Sequence, residues 1–238
     1  MPARPGETLA LWEALASTTP VARGAAVLVA LGAAEGLADA VRMPLASAAR
    51  AALGELWERA GPEVQTVVTC PDCRAVLDVI IAPGELLAAT PDPSDDDATV
   101  AVEGVVVRGP TTEDLLVALA SARPSATLRQ RCVTWPAGVD PFDLPPEVHE
   151  RVGAVAEELT GASALVVRLD CPECDGEVAA EVDPVALLAD RVSDEVRDLL
   201  GDVAELATAF GWSESEVLAL SEVRRRAYLD LARQASAR

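Results

Sequence analysis

Cys70-Pro71-Asp72-Cys73 and Cys171-Pro172-Glu173-Cys174 are two versions of one phrase, and their repetition decides how the chain is read. The first is followed by Pro83 and Leu86-Leu87-Ala88, the second by Pro184 and Leu187-Leu188-Ala189. All these positions share an offset of 101 residues, so the copies align without a gap. Each pair is entered from a β-branched run, Val67-Val68-Thr69 in one copy and Leu165-Val166-Val167-Arg168-Leu169 in the other. Strand, cysteine turn and strand, present twice, is what a four-thiolate zinc ribbon needs, because each turn offers two sulfurs to one tetrahedral ion. Cys70, Cys73, Cys171 and Cys174 are therefore expected to hold one Zn2+ per chain.

Two other readings of the pairs stand beside zinc: a reduced cluster without metal, and a redox dithiol. In a ribbon, glycine usually follows the second cysteine of each turn. Arg74 occupies that place in the first copy and Asp175-Gly176 follows in the second, so the first turn is expected to be the less regular. Four thiolates around a divalent cation leave net negative charge, to which Asp72, Asp170, Glu173 and Asp175 add. A redox dithiol requires an exposed, low-pKa cysteine at a helix N-terminus, whereas both pairs here lie between strand-like, acidic segments. The fifth cysteine, Cys132, is read as a buried core thiol.

At 238 residues the chain is long enough to bury a real core. Half of it is apolar, which excludes a disordered chain. Lysine is absent, and 39 acidic residues against 19 arginines give a formal charge of −20. Such a field repels phosphate backbones and argues against general nucleic-acid binding. No basic n-region leads an apolar stretch at the N-terminus, so a secretory signal is not expected. The most apolar stretch, 25–34, is about half of the ~20 residues a membrane span needs. Paired cysteines of the C-x-x-C kind point to metal binding in a reducing cytosol rather than to disulfides, so a cytoplasmic protein is expected.

The expected fold class is α+β: a zinc-ribbon-like β core split by a long insertion, with N-terminal helices and a C-terminal helical hairpin. Residues 1–62 read as helical, with Leu9, Trp12, Leu15 and Ala16 on one face and a segment from Pro20 to about Leu31. After Pro44 a third stripe runs through Leu45, Ala49, Ala52, Leu53, Leu56 and Trp57, ended by Gly61-Pro62. Residues 63–184 form the split core, with strands at Val64 to Thr69, Val76 to Ile81 and Ala164 to about Val182, and an insertion at about 92–163. Within the insertion, Pro91 to Asp97 is a solvated acidic loop, and Thr99 to Arg108 is a hairpin turning at Glu103-Gly104. A helix starts near Thr111 with Leu115, Leu116 and Leu119 inward. Pro136 to Pro146 is a connection, and a further helix carries Val148, Val152, Val155 and Leu159. Residues 185–238 are helical, with a stripe through Val196, Leu199, Leu200, Val203, Leu206 and Phe210. Gly211 stops this helix, Ser213 and Glu216 form a capping box stapled by Trp212 and Val217, and Ser221 caps the last helix.

Nothing in this pattern supplies catalysis, so no catalytic residue and no small-molecule substrate are expected. His149 lies among Glu147, Glu150 and Arg151 without a nucleophile, and reads as a surface residue. Ser163 and Ser221 lack a G-x-S-x-G setting, and no glycine loop is placed to cradle phosphate. The C-terminal hairpin is the candidate partner-docking element, with Trp212, Arg224, Arg225, Arg226 and Tyr228 as its partner-binding residues. Three consecutive arginines on a helix cannot share a face, so one or two are expected to pair with carboxylates such as Glu222 or Asp230. A helix-turn-helix with a basic face is the alternative for this region, although Glu205, Glu214, Glu216 and Glu222 crowd it.

The ending Leu206-Ala207-Thr208-Ala209-Phe210-Gly211-Trp212-Ser213-Glu214-Ser215-Glu216-Val217-Leu218-Ala219-Leu220, closed by Arg224-Arg225-Arg226-Ala227-Tyr228-Leu229, resembles a known signature. It is similar to the C-terminus of the T-even phage baseplate hub assembly chaperone family. Larger bacterial members of that group, found with contractile injection systems, carry two separated C-P-x-C pairs and a leading Leu-Trp-Glu phrase, matched here by Leu11-Trp12-Glu13. The resemblance implies a non-catalytic component of a phage-tail-like particle, acting in baseplate or hub assembly or as a baseplate adaptor. Its expected partners are baseplate, hub or tube subunits. The alternative is a zinc-ribbon regulatory protein that binds nucleic acid through Arg224 to Arg226.

Overall fold

Helical spacing of apolar residues and glycine or proline stops shape the first part of the chain, as seen in a computed structural model that describes residues 4–89, 99–138, 145–161 and 165–236. Helix α1 spans Pro5–Ala16, a 3-10 turn at Pro20–Ala22 leads into α2 (Arg23–Ala30), and a short α3 (Leu37–Ala40) follows. Helix α4 (Leu45–Ala60) buries Ala48, Ala49, Ala52, Leu53 and Leu56 and stops at Gly61, whose φ of 78° suits a residue without Cβ. Trp57, expected on the inward stripe, is instead 43 % exposed. Its ring lies over Gly84, where an added Cβ would come within 2.8 Å of it. The stripe turns outward at this last turn because the ring finds cover on glycine backbone rather than in the core.

Strands β1 (Val64–Thr69) and β2 (Val76–Ile81) form an antiparallel hairpin running from Val64↔Ile81 to Thr69↔Val76. Alternation sends Leu77, Val79 and Ile81 inward and Val76, Asp78 and Ile80 outward. Helix α5 (Pro83–Ala89) follows. The second hairpin, β3 (Thr99–Val102) and β4 (Val105–Arg108), turns as expected at Glu103 and Gly104, whose φ values of 49° and 84° are those a two-residue type I′ turn demands. Helices α6 (Thr112–Leu119) and α7 (Pro124–Cys132) lead to β5 (Val133–Thr134), which pairs with β4 to make a three-stranded sheet. Neither α7 nor β5 stands out in the sequence. Helix α8 (Pro146–Gly161) lays Val148 and Val152 on Val105, Val107 and Val133.

The expectation for α6 is corrected. Leu116 and Leu119 are exposed, and the buried positions are Thr112, Asp114 and Ala118. An ionised carboxylate gathered by two arginines, described below, takes the inward face. Strands β6 (Leu165–Asp170) and β7 (Glu177–Val182) form the last hairpin, and α9 (Pro184–Phe210), α10 (Glu214–Leu218) and α11 (Glu222–Ser236) complete the chain. Residues 90–98 and 139–144, with the expected acidic loop and part of the proline-rich connection, and Ala164 lie outside the described residues.

The duplication runs further than the cysteine phrase. At the same offset of 101, α4 maps onto α8, β1 onto β6, β2 onto β7, and Pro83 of α5 onto Pro184 of α9. The hairpin registers also match pair for pair. The two inner faces meet in one core, where Val68, Leu77, Ile81 and Leu86 pack with their counterparts Leu169, Val178, Val182 and Leu187. The architecture is mixed α and β, with small antiparallel sheets among helices.

The chain divides into two compact units, residues 14–188 and residues 1–13 with 189–238, so the limits fall inside α1 and α9. Within the second, Leu206, Val217 and Leu229 form a core joined by Val203, Trp212, Leu220 and Tyr228. Among the described residues no helix is long and apolar enough to cross a membrane.

Candidate metal centre

The turns that join β1 to β2 and β6 to β7 bring four sulfurs to one point. Cys70 Sγ lies 3.8 Å from Cys174 Sγ, and Cys73 Sγ lies 3.6 Å from Cys171 Sγ. All four sulfurs lie within 4.8 Å of one another. These distances far exceed the about 2.05 Å of a disulfide bond, and the cysteines are free. The first cysteine of each pair is buried and the second exposed. This cluster could hold a metal ion.

Both turns are built alike. The Cys70 amide donates to the Ala75 carbonyl at 2.9 Å and the Arg74 amide to the Cys70 carbonyl at 3.0 Å. In the second turn, Cys171 donates to Gly176 and Asp175 to Cys171, each at 2.9 Å. This closure requires a left-handed residue after the second cysteine: Arg74 has φ 63° and Asp175 φ 57°. Aspartate visits that region more readily than most residues, so the conformational cost falls mainly on Arg74, at about 1–2 kcal/mol. The missing glycine strains the first turn but leaves its path the same as that of the second. Gly176 serves another purpose, since an added Cβ would lie 2.8 Å from Asp72 Oδ2 of the opposite turn.

Crowding spreads the thiol acidities. The Cys73 amide N–H donates to the Cys70 sulfur and, with a further N–H from Asp72 and the neighbouring thiols, lowers Cys70 to about 7 against the opposing effect of burial. At Cys174 the Gly176 N–H also favours the thiolate, yet the sulfur of Cys73, desolvation and the sulfurs of Cys171 and Cys70 outweigh it and push the thiol up to about 12. The Cys70 thiolate forms most readily, while the thiols of Cys73 and Cys174 are raised, as expected of like charges crowded into one site.

A second charged cluster went unread in the sequence. Asp114 is fully buried and accepts from Arg108 Nη1 at 2.5 Å, Arg108 Nη2 at 2.9 Å, Arg131 Nε at 2.5 Å and the Thr111 amide and hydroxyl, each at 3.0 Å. Burial would raise this carboxyl, but the hydrogen bonds from Arg108, Arg131 and Thr111 together hold it well below the usual carboxylate range. The pattern Thr111-x-x-Asp114 is a capping-box signal and could have marked the helix start. Nothing local signals the arginines. Cys132, buried at the end of α7, has its thiol pushed up by burial and by the charge of Asp114. His149 is exposed, its ring 5.5 Å from that of Trp135.

The proposed partner-binding residues of the C-terminal hairpin are not equivalent. Trp212 stacks on Phe210 at 4.9 Å between ring centroids and meets the Tyr228 ring edge-on at 4.8 Å. The capping box is present, with the Ser213 amide donating to Glu216 at 2.8 Å, and Gly211 stops α9 with φ 71°. Arg225 is turned inward to Asp202 on α9 at 3.0 Å, and Arg226 pairs with Glu222 at the surface. Arg224 has no ion-pair partner among the described residues and is exposed. No family model, curated protein or solved structure matches the chain.

Proposed function

We propose that this chain is a non-catalytic protein that acts through protein–protein contacts, with a four-cysteine zinc site as its internal tie. The convergence of the sulfurs carries the metal reading. At a Zn–S length of ~2.3 Å, the sulfurs of a tetrahedral site stand about 3.8 Å apart, and the cross-turn pairs here stand at 3.6 and 3.8 Å. Cys70, Cys73, Cys171 and Cys174 would hold the ion, which when bound supplies a cross-link and positive charge to four crowded sulfurs. On this reading the two hairpins are the arms of a split zinc ribbon. All four positions are filled by protein, which suits a structural rather than a catalytic site.

The setting we propose is the baseplate or hub of a phage-tail-like contractile injection system, as an assembly factor or adaptor. Its support is the similarity of the ending from Leu206 to Leu229 to the hub assembly chaperone signature. Gly211, Trp212, Ser213, Glu216, Arg225 and Tyr228 all shape the hairpin itself, so the signature describes a folding unit. Arg224 and Arg226 are left as the outward basic positions for an acidic patch on a partner. The rival, a nucleic-acid-binding regulator, would need the same arginines to overcome a charge of −20.

The test is co-expression with tube, spike and baseplate subunits of a contractile injection system, followed by purification and metal analysis. A stable complex that the Arg224→Ala, Arg226→Ala variant loses while keeping its melting temperature supports the reading. Duplex DNA binding that weakens steeply with salt, with no subunit retained, replaces it with the rival.

A further inference from the structure

Because the chain builds the same hairpin twice, each copy shows what the other's outer face requires. Hairpins β1–β2 and β6–β7 share strand length, register and cysteine turn, and their inner faces share one core. Their outer faces differ. Beside one half-exposed valine, Val166, the second carries Arg168, Glu177 and Glu181 outward, with Arg168 donating to Glu177 at 3.1 Å, as a largely solvated antiparallel face should. At the corresponding places the first carries Val67, Val76 and Ile80, exposed by 62, 69 and 60 %. The fold does not require apolar side chains there, since its own second copy does without them. A cluster of branched apolar groups left in water is the mark of a surface that another molecule covers.

The composition of the patch narrows the occupant. Val76, Asp78 and Ile80 are alternate residues of β2, and Val67 is the register partner of Asp78. One carboxylate therefore sits at the centre of three apolar side chains. The patch runs into a groove lined by Ala75, Leu77, Leu169 and Pro172, with Glu173 also in its wall. A second copy of the chain is a poor occupant, because an isologous contact centred here sets Asp78 near Asp78 between two bodies of charge −20.

We propose that the outer face of β1–β2 docks a partner protein that presents a lysine or arginine within an apolar patch. The basic group meets Asp78, and the apolar side chains cover Val67, Val76 and Ile80. Charge complementarity against an acidic chain then sets register and encounter rate, and the apolar rim supplies the burial. This docking face does not depend on the baseplate reading.

The experiment is site-specific photocross-linking of the full chain in the cells that make it. A benzophenone amino acid replaces Val67 or Ile80, and Arg168 or Glu181 as the matched control. Irradiation should capture one protein, identified by mass spectrometry, from positions 67 and 80 and not from 168 and 181. The captured segment should contain lysine or arginine, and Asp78→Arg should cut the yield about tenfold or more with an unchanged melting temperature. The triple variant Val67→Arg, Val76→Glu, Ile80→Glu gives the first hairpin the residues of the second, a face this fold already tolerates, and should lose the partner. Equal capture from both hairpins, capture of a second copy of the chain, or a yield indifferent to Asp78→Arg overturns the proposal. Capture of a baseplate subunit supports the proposed setting as well. Capture of an unrelated protein from 67 and 80 alone, lost with Asp78→Arg, keeps the docking face and removes that setting.

Discussion

Replacing Cys171 with serine removes one buried sulfur from the cluster and should loosen the core where the two hairpins meet. Cys73 and Cys171, whose sulfurs stand 3.6 Å apart, are separated by 98 residues of chain. A cross-link closing a loop of that order removes about 4.7 kcal/mol of unfolded-state entropy, which sets the scale of what the proposed metal tie would contribute by this route. For a unit of this size each kcal/mol moves the melting temperature by about 2–4 °C, so loss of the tie should lower it by about 10–20 °C. Cys132→Ser is the matched control: a buried thiol outside the cluster, with an expected cost of about 1 kcal/mol and about 2–4 °C. Cys70→Ser, at the equivalent buried place, should match Cys171→Ser. The measurement is thermal unfolding by circular dichroism on protein whose zinc content has been determined. Equal shifts for Cys171→Ser and Cys132→Ser, or wild-type protein that melts alike with and without metal, would refute the cross-link argument.

Other consequences follow from the charge clusters and turns. Asp114→Ala should cost about 3 kcal/mol in urea unfolding, the lower end for breaking a buried pair, because Arg108 and Arg131 each keep about a third of their side-chain surface in water. Because the folded Asp114 carboxyl lies below its ordinary range, its stabilisation is complete above about pH 4 and is lost as pH falls through the folded value; Asp114→Asn should flatten the acid limb of the stability profile. Arg74→Gly should stabilise the first turn by up to about 1 kcal/mol, the relief of left-handed strain less the added freedom of the unfolded chain, and Asp175→Gly should gain less. Arg225→Ala should lower stability by about 1–2 kcal/mol through its inward bond to Asp202, while Arg224→Ala should stay within about 0.5 kcal/mol.

Much of the local structure was legible because its causes are local. Val76 to Ile81 alternates at the strand period, Glu103-Gly104 supplies two positive φ values, and Ser213 with Glu216 closes a box three residues wide. The gapless offset of 101 carried the pairing of the cysteine turns, yet the helices α4 and α8 that extend it share too little sequence to be recognised as copies. Apolar counting failed in α6, where it chose Leu116 and Leu119 over Asp114. Burial of a carboxylate becomes favourable only when distant donors converge on it, and helical period carries no information about β4 or α7.

By itself, then, the sequence determined the strands of the three hairpins, the two cysteine turns, most helix starts and stops and the acidic character of the surface, all properties of neighbouring residues or of composition. Only the tertiary structure decided that Cys70 meets Cys174 and Cys73 meets Cys171, that Arg108 and Arg131 close on Asp114, and that Arg225 faces inward while Arg224 does not. These are meetings between segments far apart along the chain. Such contacts depend on which apolar faces can be buried together, and that is a property of the whole packed chain, not of any window within it.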